Sequence, residues 1–372
     1  MRPVRPTSWS YALKYAGLAP FDVARVPARR VLMVGHNGIG NLGADLRTIA
    51  VRRLLPECDL DMITYDPNRT RDEFRGVEQH LLPVDGVGEL WRLVSQCDAV
   101  VVTEGCALGP RGFWQFAGAM ALAGRQGKTA VAYCVGADGM LPEHGRWLKH
   151  NCASAVFVAR DTISERILRN LGLNVFPGTD PVWQVRPKNP RPSVGNDVLV
   201  CASNPFAWPE VCRHLYEQWQ VQLIALTKAV GPERICFFAM EQDDNPIAQT
   251  LAQQTGARAI HVGDMDRAVN QFGKARAVLS ARFHGVVLGK VFGACTLGVA
   301  VDERLIALAR DRSDVVVVGV NDARLEAMIQ TWIAQTGDGS SDPIVLPNDL
   351  LALAAERLRG ALGLSGSTGM TV

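Results

Sequence analysis

The chain of 372 residues has few of the signatures that identify a reaction on their own. Its nine cysteines stand singly, with no C-x-x-C and no cysteine–histidine set at zinc spacing. That argues against a disulfide framework or a structural zinc site and fits buried, reduced thiols in the cytoplasm. There is no G-x-S-x-G, no P-loop and no metal-ligand motif, so a nucleophile triad, a Walker-type NTPase and a resident metal are not expected. The formal net charge is only +2, and no basic run interleaved with aromatics occurs in the body of the chain, which excludes nucleic acid as a partner. No segment is long and apolar enough to span a bilayer, and the first 30 residues hold no signal-peptide core. Those residues do carry Arg2, Arg5, Lys14, Arg25, Arg29 and Arg30 among Trp9, Tyr11, Tyr15 and Phe21. They read either as a solvated extension or as a peripheral contact with an anionic membrane surface.

What is present is a regular alternation. Short β-branched runs such as "RVLMVG", "DAVVVTEG" and "KTAVAYCVG" are separated by amphipathic segments such as "GADLRTIAVRRLL" and "FWQFAGAMALAGRQG". That pattern predicts parallel sheets covered by helices. It is interrupted once, by the four prolines of residues 181–197, and resumes at "DVLVCAS". The expected architecture is therefore α/β with two Rossmann-like domains, at residues 31–180 and 198–362. An extension (1–30), a linker (181–197) and a frayed tail (363–372) complete it. Parallel sheets bind ligands outside the carboxyl ends of their strands, so chemistry is expected at strand-to-helix turns facing a cleft between the domains.

Four such turns stand out. In "SARFHGVVLGK", Arg282 and His284 follow a strand and open a helix; side chains two apart in extended chain face the same way, and the helix start is a seat for an anion. A core histidine and a structural ion pair are the alternatives. In "GHNGIGNLGAD", Gly38, Gly40 and Gly43 let backbone approach a ligand closely, with Asn41 and Asp45 as helix caps or ligand contacts. The same glycines match G-x-G-x-x-G, with Asp59, Asp61 and Asp66 near the place of a ribose-binding acid, so a dinucleotide site is a further reading. Arg160 ends a strand before the N-cap candidate Asp161. Asp302, Glu303 and Arg304 end another.

Taken together, the glycine loop, "VARDTISERILRNLGL", "TDPVW" and "SARFHGVVLGKVFG" resemble the polysaccharide pyruvyl transferase family over about residues 31 to 310. The resemblance implies two domains like those of GT-B glycosyltransferases. It implies phosphoenolpyruvate as donor substrate, no cofactor, and a sugar acceptor that ends with a pyruvate ketal, often on a lipid-linked precursor; a GT-B-type glycosyltransferase using a nucleotide sugar and a non-catalytic glycan-binding homologue are the alternatives. The expected setting is the cytoplasm, at the inner face of the membrane. On that pattern Arg160 and Arg282 match anion-binding arginines and His284 the general acid. Asp45 would take the acceptor proton, and Arg304, beside Asp302, would help to hold the donor. The chain departs from the family pattern at Ala44, inserted in "NLGAD", at Arg304 in place of a lysine, and at Glu104 in "TEGCALG", where a glycine triplet is usual.

Overall fold

The computed structural model describes residues 28–70, 74–81, 87–110, 112–185, 197–205, 210–261, 265–337 and 346–364. Residues 1–27 of the expected membrane contact, most of the linker and most of the tail lie outside them. The chain divides into two units. One comprises Met1–Ile39, Ala44–Pro181 and Pro347–Val372; the other comprises Gly40–Gly43 and Val182–Leu346.

The first unit is a seven-stranded parallel sheet. Its strands are β1 (Arg30–Asn37), β2 (Asp59–Thr64), β3 (Glu78–Leu81), β4 (Ala99–Val102), β5 (Thr129–Val135), β6 (Val156–Ala159) and β7 (Asn174–Pro177). Their order is β3-β2-β1-β4-β5-β6-β7. Every residue of β4 and β6 is buried. This is why those strands read as unbroken apolar runs: helices cover both faces. One face packs on helices Val87–Gln96 and Phe113–Arg125.

The opposite face explains a boundary. The expected second domain ran to residue 362, yet helix Asn348–Ala361 belongs to the first unit. Its Leu351, Ala354, Ala355, Leu358 and Ala361 are buried, and Ala354, Ala355, Leu358 and Ala361 pack with Val31, Met33, Leu54 and Val101. The Ala28 amide donates to Leu362 O at 2.9 Å. An amphipathic stripe needs a sheet face to cover, and period alone does not say which sheet supplies it.

The second unit is a six-stranded parallel sheet ordered β10-β9-β8-β11-β12-β13. The strands are β8 (Asp197–Ala202), β9 (Ile235–Ala239), β10 (Arg258–Ile260), β11 (Ala275–Ser280), β12 (Cys295–Ala300) and β13 (Val316–Gly319). No helix among the described residues is long and apolar enough to cross a membrane.

Candidate functional site

The second sheet changes winding direction between β8 and β11. Such a switch point is where open parallel sheets place ligands. At the end of β11, Ser280 Oγ accepts from the Arg282 amide at 3.0 Å and donates to Arg282 O at 2.8 Å. This local turn leaves Arg282 extended as N-cap of helix Phe283–Val291, so His284 falls in the first helical turn. The Arg282 guanidinium is buried. It pairs with Asp244 and, at 3.1 Å, with Glu241. Burial alone would lower its pKa, but the two carboxylates more than reverse that, while Arg304 opposes them. Arg282 Nε is buried and makes no hydrogen bond among the described residues. Asp244 is fully buried and accepts from the Asn204 amide at 2.7 Å. Burial raises its pKa despite the guanidinium beside it.

The glycine loop comes to the same place. Residues Gly40–Gly43 belong to the second unit. Asn41 bridges to Glu241, donating from Nδ2 to Oε1 at 2.6 Å. Leu42 donates its amide to Met240 O at 3.0 Å, and Gln242 donates to Gly40 O at 2.9 Å. Gly43 lies against the catalytic candidate: a Cβ there would stand 1.9 Å from His284 Nδ1. So Gly40, Asn41, Gly43, Arg282 and His284 are brought together, with Glu241 shared between Asn41 and Arg282. Arg304 stays at the end of β12, where its Nε donates to Asp302 at 2.9 Å and Asp302 caps helix Glu303–Asp311.

The first unit holds the remaining candidates. Arg160 follows β6 and is buried. Its Nη2 reaches Asp138 at 2.9 Å, its Nε Asp161 at 3.1 Å and its Nη1 Gly105 O at 3.3 Å. Asp161 caps helix Thr162–Asn170 through the Ser164 amide at 2.8 Å. A Cβ on Gly136 would meet Arg160 Nη2 at 2.5 Å, so that glycine makes room for the guanidinium. Asp45 is buried and accepts from the Gly38 amide at 3.2 Å; Gly38 and Gly40 have φ of +78° and +76°, which glycine adopts without strain. Some of the groups of the dinucleotide reading are engaged here. The Leu42 amide is already bonded, Asp61 is held by Arg30 at 2.9 Å, and Asp66 accepts from the Asn68 amide at 2.9 Å.

The sequence profile described as polysaccharide pyruvyl transferase matches residues 41–303, more than half of the chain and all of the turns just described except the start of the glycine loop and Arg304. The chain belongs to this family. It is thereby a member of a transferase family of polysaccharide biosynthesis. No curated protein matches it. Among solved structures, a Listeria monocytogenes protein assigned as a UDP-N-acetylglucosamine 2-epimerase is similar at TM-score 0.62 and 13% identity, over 91% of this chain and 96% of its own. The UDP-GlcNAc 2-epimerase of Methanocaldococcus jannaschii gives 0.61 at 10%, over 90% and 99%. Anabaena HepE, solved in complex with UDP, gives 0.53 at 11%, over 90% and 97%. These likenesses establish the GT-B fold and leave the substrate open.

Within this pyruvyl transferase family member, three groups escaped the sequence reading. Glu241 and Asp244, in "MEQDDN", carry no motif signal and matter only through Arg282. Arg47 is fully buried. It pairs with Asp180 of "TDPVW" and donates to Thr103 O at 2.9 Å, Tyr133 O at 3.1 Å and Cys134 O at 2.8 Å. Its position on the apolar-looking helix Leu42–Leu54 was the available clue, since an arginine on a buried helix face demands a partner.

Proposed function

We propose that the chain transfers pyruvate from phosphoenolpyruvate to two hydroxyls of a sugar, forming a ketal and releasing phosphate. His284, protonated, donates to the methylene carbon of the donor, and positive charge develops at the adjacent carbon. A sugar hydroxyl attacks that carbon, the carbon–phosphate oxygen bond breaks, and a second hydroxyl closes the ketal. Of the two hydroxyl protons, one replaces that given by His284 and the other leaves with phosphate. Arg282 offers Nε to the donor, with Glu241 and Asp244 fixing its plane and Arg304 adding positive charge nearby. Within the first unit, Arg160 is proposed as an anion contact and Asp45 as a proton acceptor. The reaction needs no cofactor, and its donor places it in the cytoplasm.

The observation that carries this reading is the seat of His284: at a helix start, two residues from a buried arginine, against the bare backbone of Gly43. Family membership supports it. The test is phosphate release from phosphoenolpyruvate that depends on an added sugar, with a ketal in the product. A second reading is transfer from a nucleotide sugar, which the UDP held by Anabaena HepE favours. Nucleotide release from a UDP-sugar, with no turnover of phosphoenolpyruvate, would establish it and overturn the first.

A further inference from the structure

The first sheet has its own switch point, between β1 and β4. Of the residues assigned above to the donor, Arg160 comes near it, donating from Nη1 to Gly105 O at 3.3 Å; Arg282, His284 and Arg304 belong to the other unit. Glu104 follows β4 and is buried; its Oε1 accepts from the Cys106 amide at 3.0 Å, and its Oε2 lies 3.2 Å from His36 Nδ1. His36, on β1, is partly exposed. It meets the ring of Phe116 edge-on at 4.9 Å and that of Tyr65 at 5.9 Å. Tyr65 donates its hydroxyl to Gln115 Oε1 at 2.9 Å, and Gln115 Nε2 is a buried donor with no acceptor among the described residues. Gly112 leaves room for these rings: a Cβ there would stand 2.5 Å from Phe116 and 3.6 Å from His36.

The chemistry of this cluster differs from that of an anion site. An ionised carboxylate accepts from hydroxyls and repels phosphate or carboxylate. An imidazole beside it can donate or accept, and an amide N–H awaits an oxygen. Burial would raise the pKa of Glu104, but His36, the Cys106 amide and Arg47 pull it down to about 2, so the carboxylate stays charged. An aromatic flank suits the C–H face of a pyranose ring.

We infer that Glu104, His36, Tyr65 and Gln115 form a hydroxyl-reading subsite that takes a neutral sugar and rejects one bearing its own carboxylate. It rests on the proposed function only in calling that sugar the acceptor; its test needs no donor. Wild-type protein is titrated, without phosphoenolpyruvate, with methyl hexopyranosides that differ at one hydroxyl and with the matching methyl uronate. The neutral glycosides bind and the uronate does not. Glu104→Gln weakens the best neutral glycoside by about tenfold and narrows the gap to the uronate, because an acceptor carrying full charge has become a neutral amide. His36→Gln weakens the glycosides too. Equal binding of glycoside and uronate by wild type, no glycoside binding, or a Glu104→Gln affinity within about twofold of wild type would each overturn the inference. If Glu104→Gln does not fold, the wild-type preference decides alone. Failure of phosphoenolpyruvate turnover would sink the donor reading and leave this titration unaffected.

Discussion

The two units carry the same device with opposite charge. In each, the sheet reverses between its first and fourth strands, β1 and β4 or β8 and β11, and an imidazole stands at the reversal. In the first unit the imidazole of His36 has a carboxylate, Glu104, at 3.2 Å. In the second, His284 follows Arg282 by two residues, and the guanidinium is braced by Glu241 and Asp244. The fold supplies the same place twice: a strand end at the point where the sheet reverses its winding. One charged side chain beside the imidazole, Glu104 from the neighbouring strand end in the first unit and Arg282 from the same strand end in the second, then decides whether that place suits hydroxyls or an anion. The histidine alone says nothing about ligand charge.

The sharpest way to break this comparison is His284→Ala. Turnover should fall about 10²–10⁴-fold while phosphoenolpyruvate affinity, read by calorimetry, persists. Unchanged turnover would remove the imidazole from the chemistry. Next is the frame of the first switch point. Arg47→Ala strands Asp180 in the core and should cost about 3–5 kcal/mol by urea unfolding. Replacing both partners by apolar residues should cost less than either single change.

The charge of Glu104 is tested by acid. Its carboxyl falls from an ordinary 4.5 to about 2 in the folded chain, so the unfolded state binds the proton more readily. The stabilisation is complete above about pH 4.5 and is lost as pH falls toward 2, by roughly 3 kcal/mol. Glu104→Gln should flatten stability across that window; an unchanged acid profile would mean the pair is not ionised. Gly43→Ala pushes a methyl into the imidazole and should lower turnover about a hundredfold. The unfolding midpoint should move much less. The smallest effect is expected from Asn41→Ala, about 1 kcal/mol of stability for the lost bond to Glu241. A larger loss of turnover there would show that loop and Arg282 act as one unit.

Much of the fold was legible in the sequence, and the omissions share a cause. β3 and β7 were not expected, nor was helix Pro142–Asn151. β3, "EQHL", lies at the sheet edge with its ends exposed, and β7 is a four-residue edge strand. An edge strand buries little, so no apolar run marks it. The helix buries only His144, Gly145 and Leu148, too few for a periodic signal. At the site, Arg282, His284 and Gly43 were visible because strand-end residues and glycines leave local marks. Their partners leave none: Glu241 is reached from Asn41 across 200 residues of chain, and Asp180 from Arg47 across 133.

The sequence by itself determined the alternation of strands and helices, the positions of the turns and the family. Those follow from backbone propensity and the period of apolar residues, which neighbours along the chain encode. The order of strands decided the rest. It sets Glu104 beside His36; the turn after β9 reaches past β8 to bring Asp244 to Arg282, and packing gives the first sheet the C-terminal helix. Charges at strand ends act on whatever the adjacent strand brings within a few ångströms, and adjacency in a parallel sheet is a property of the folded chain.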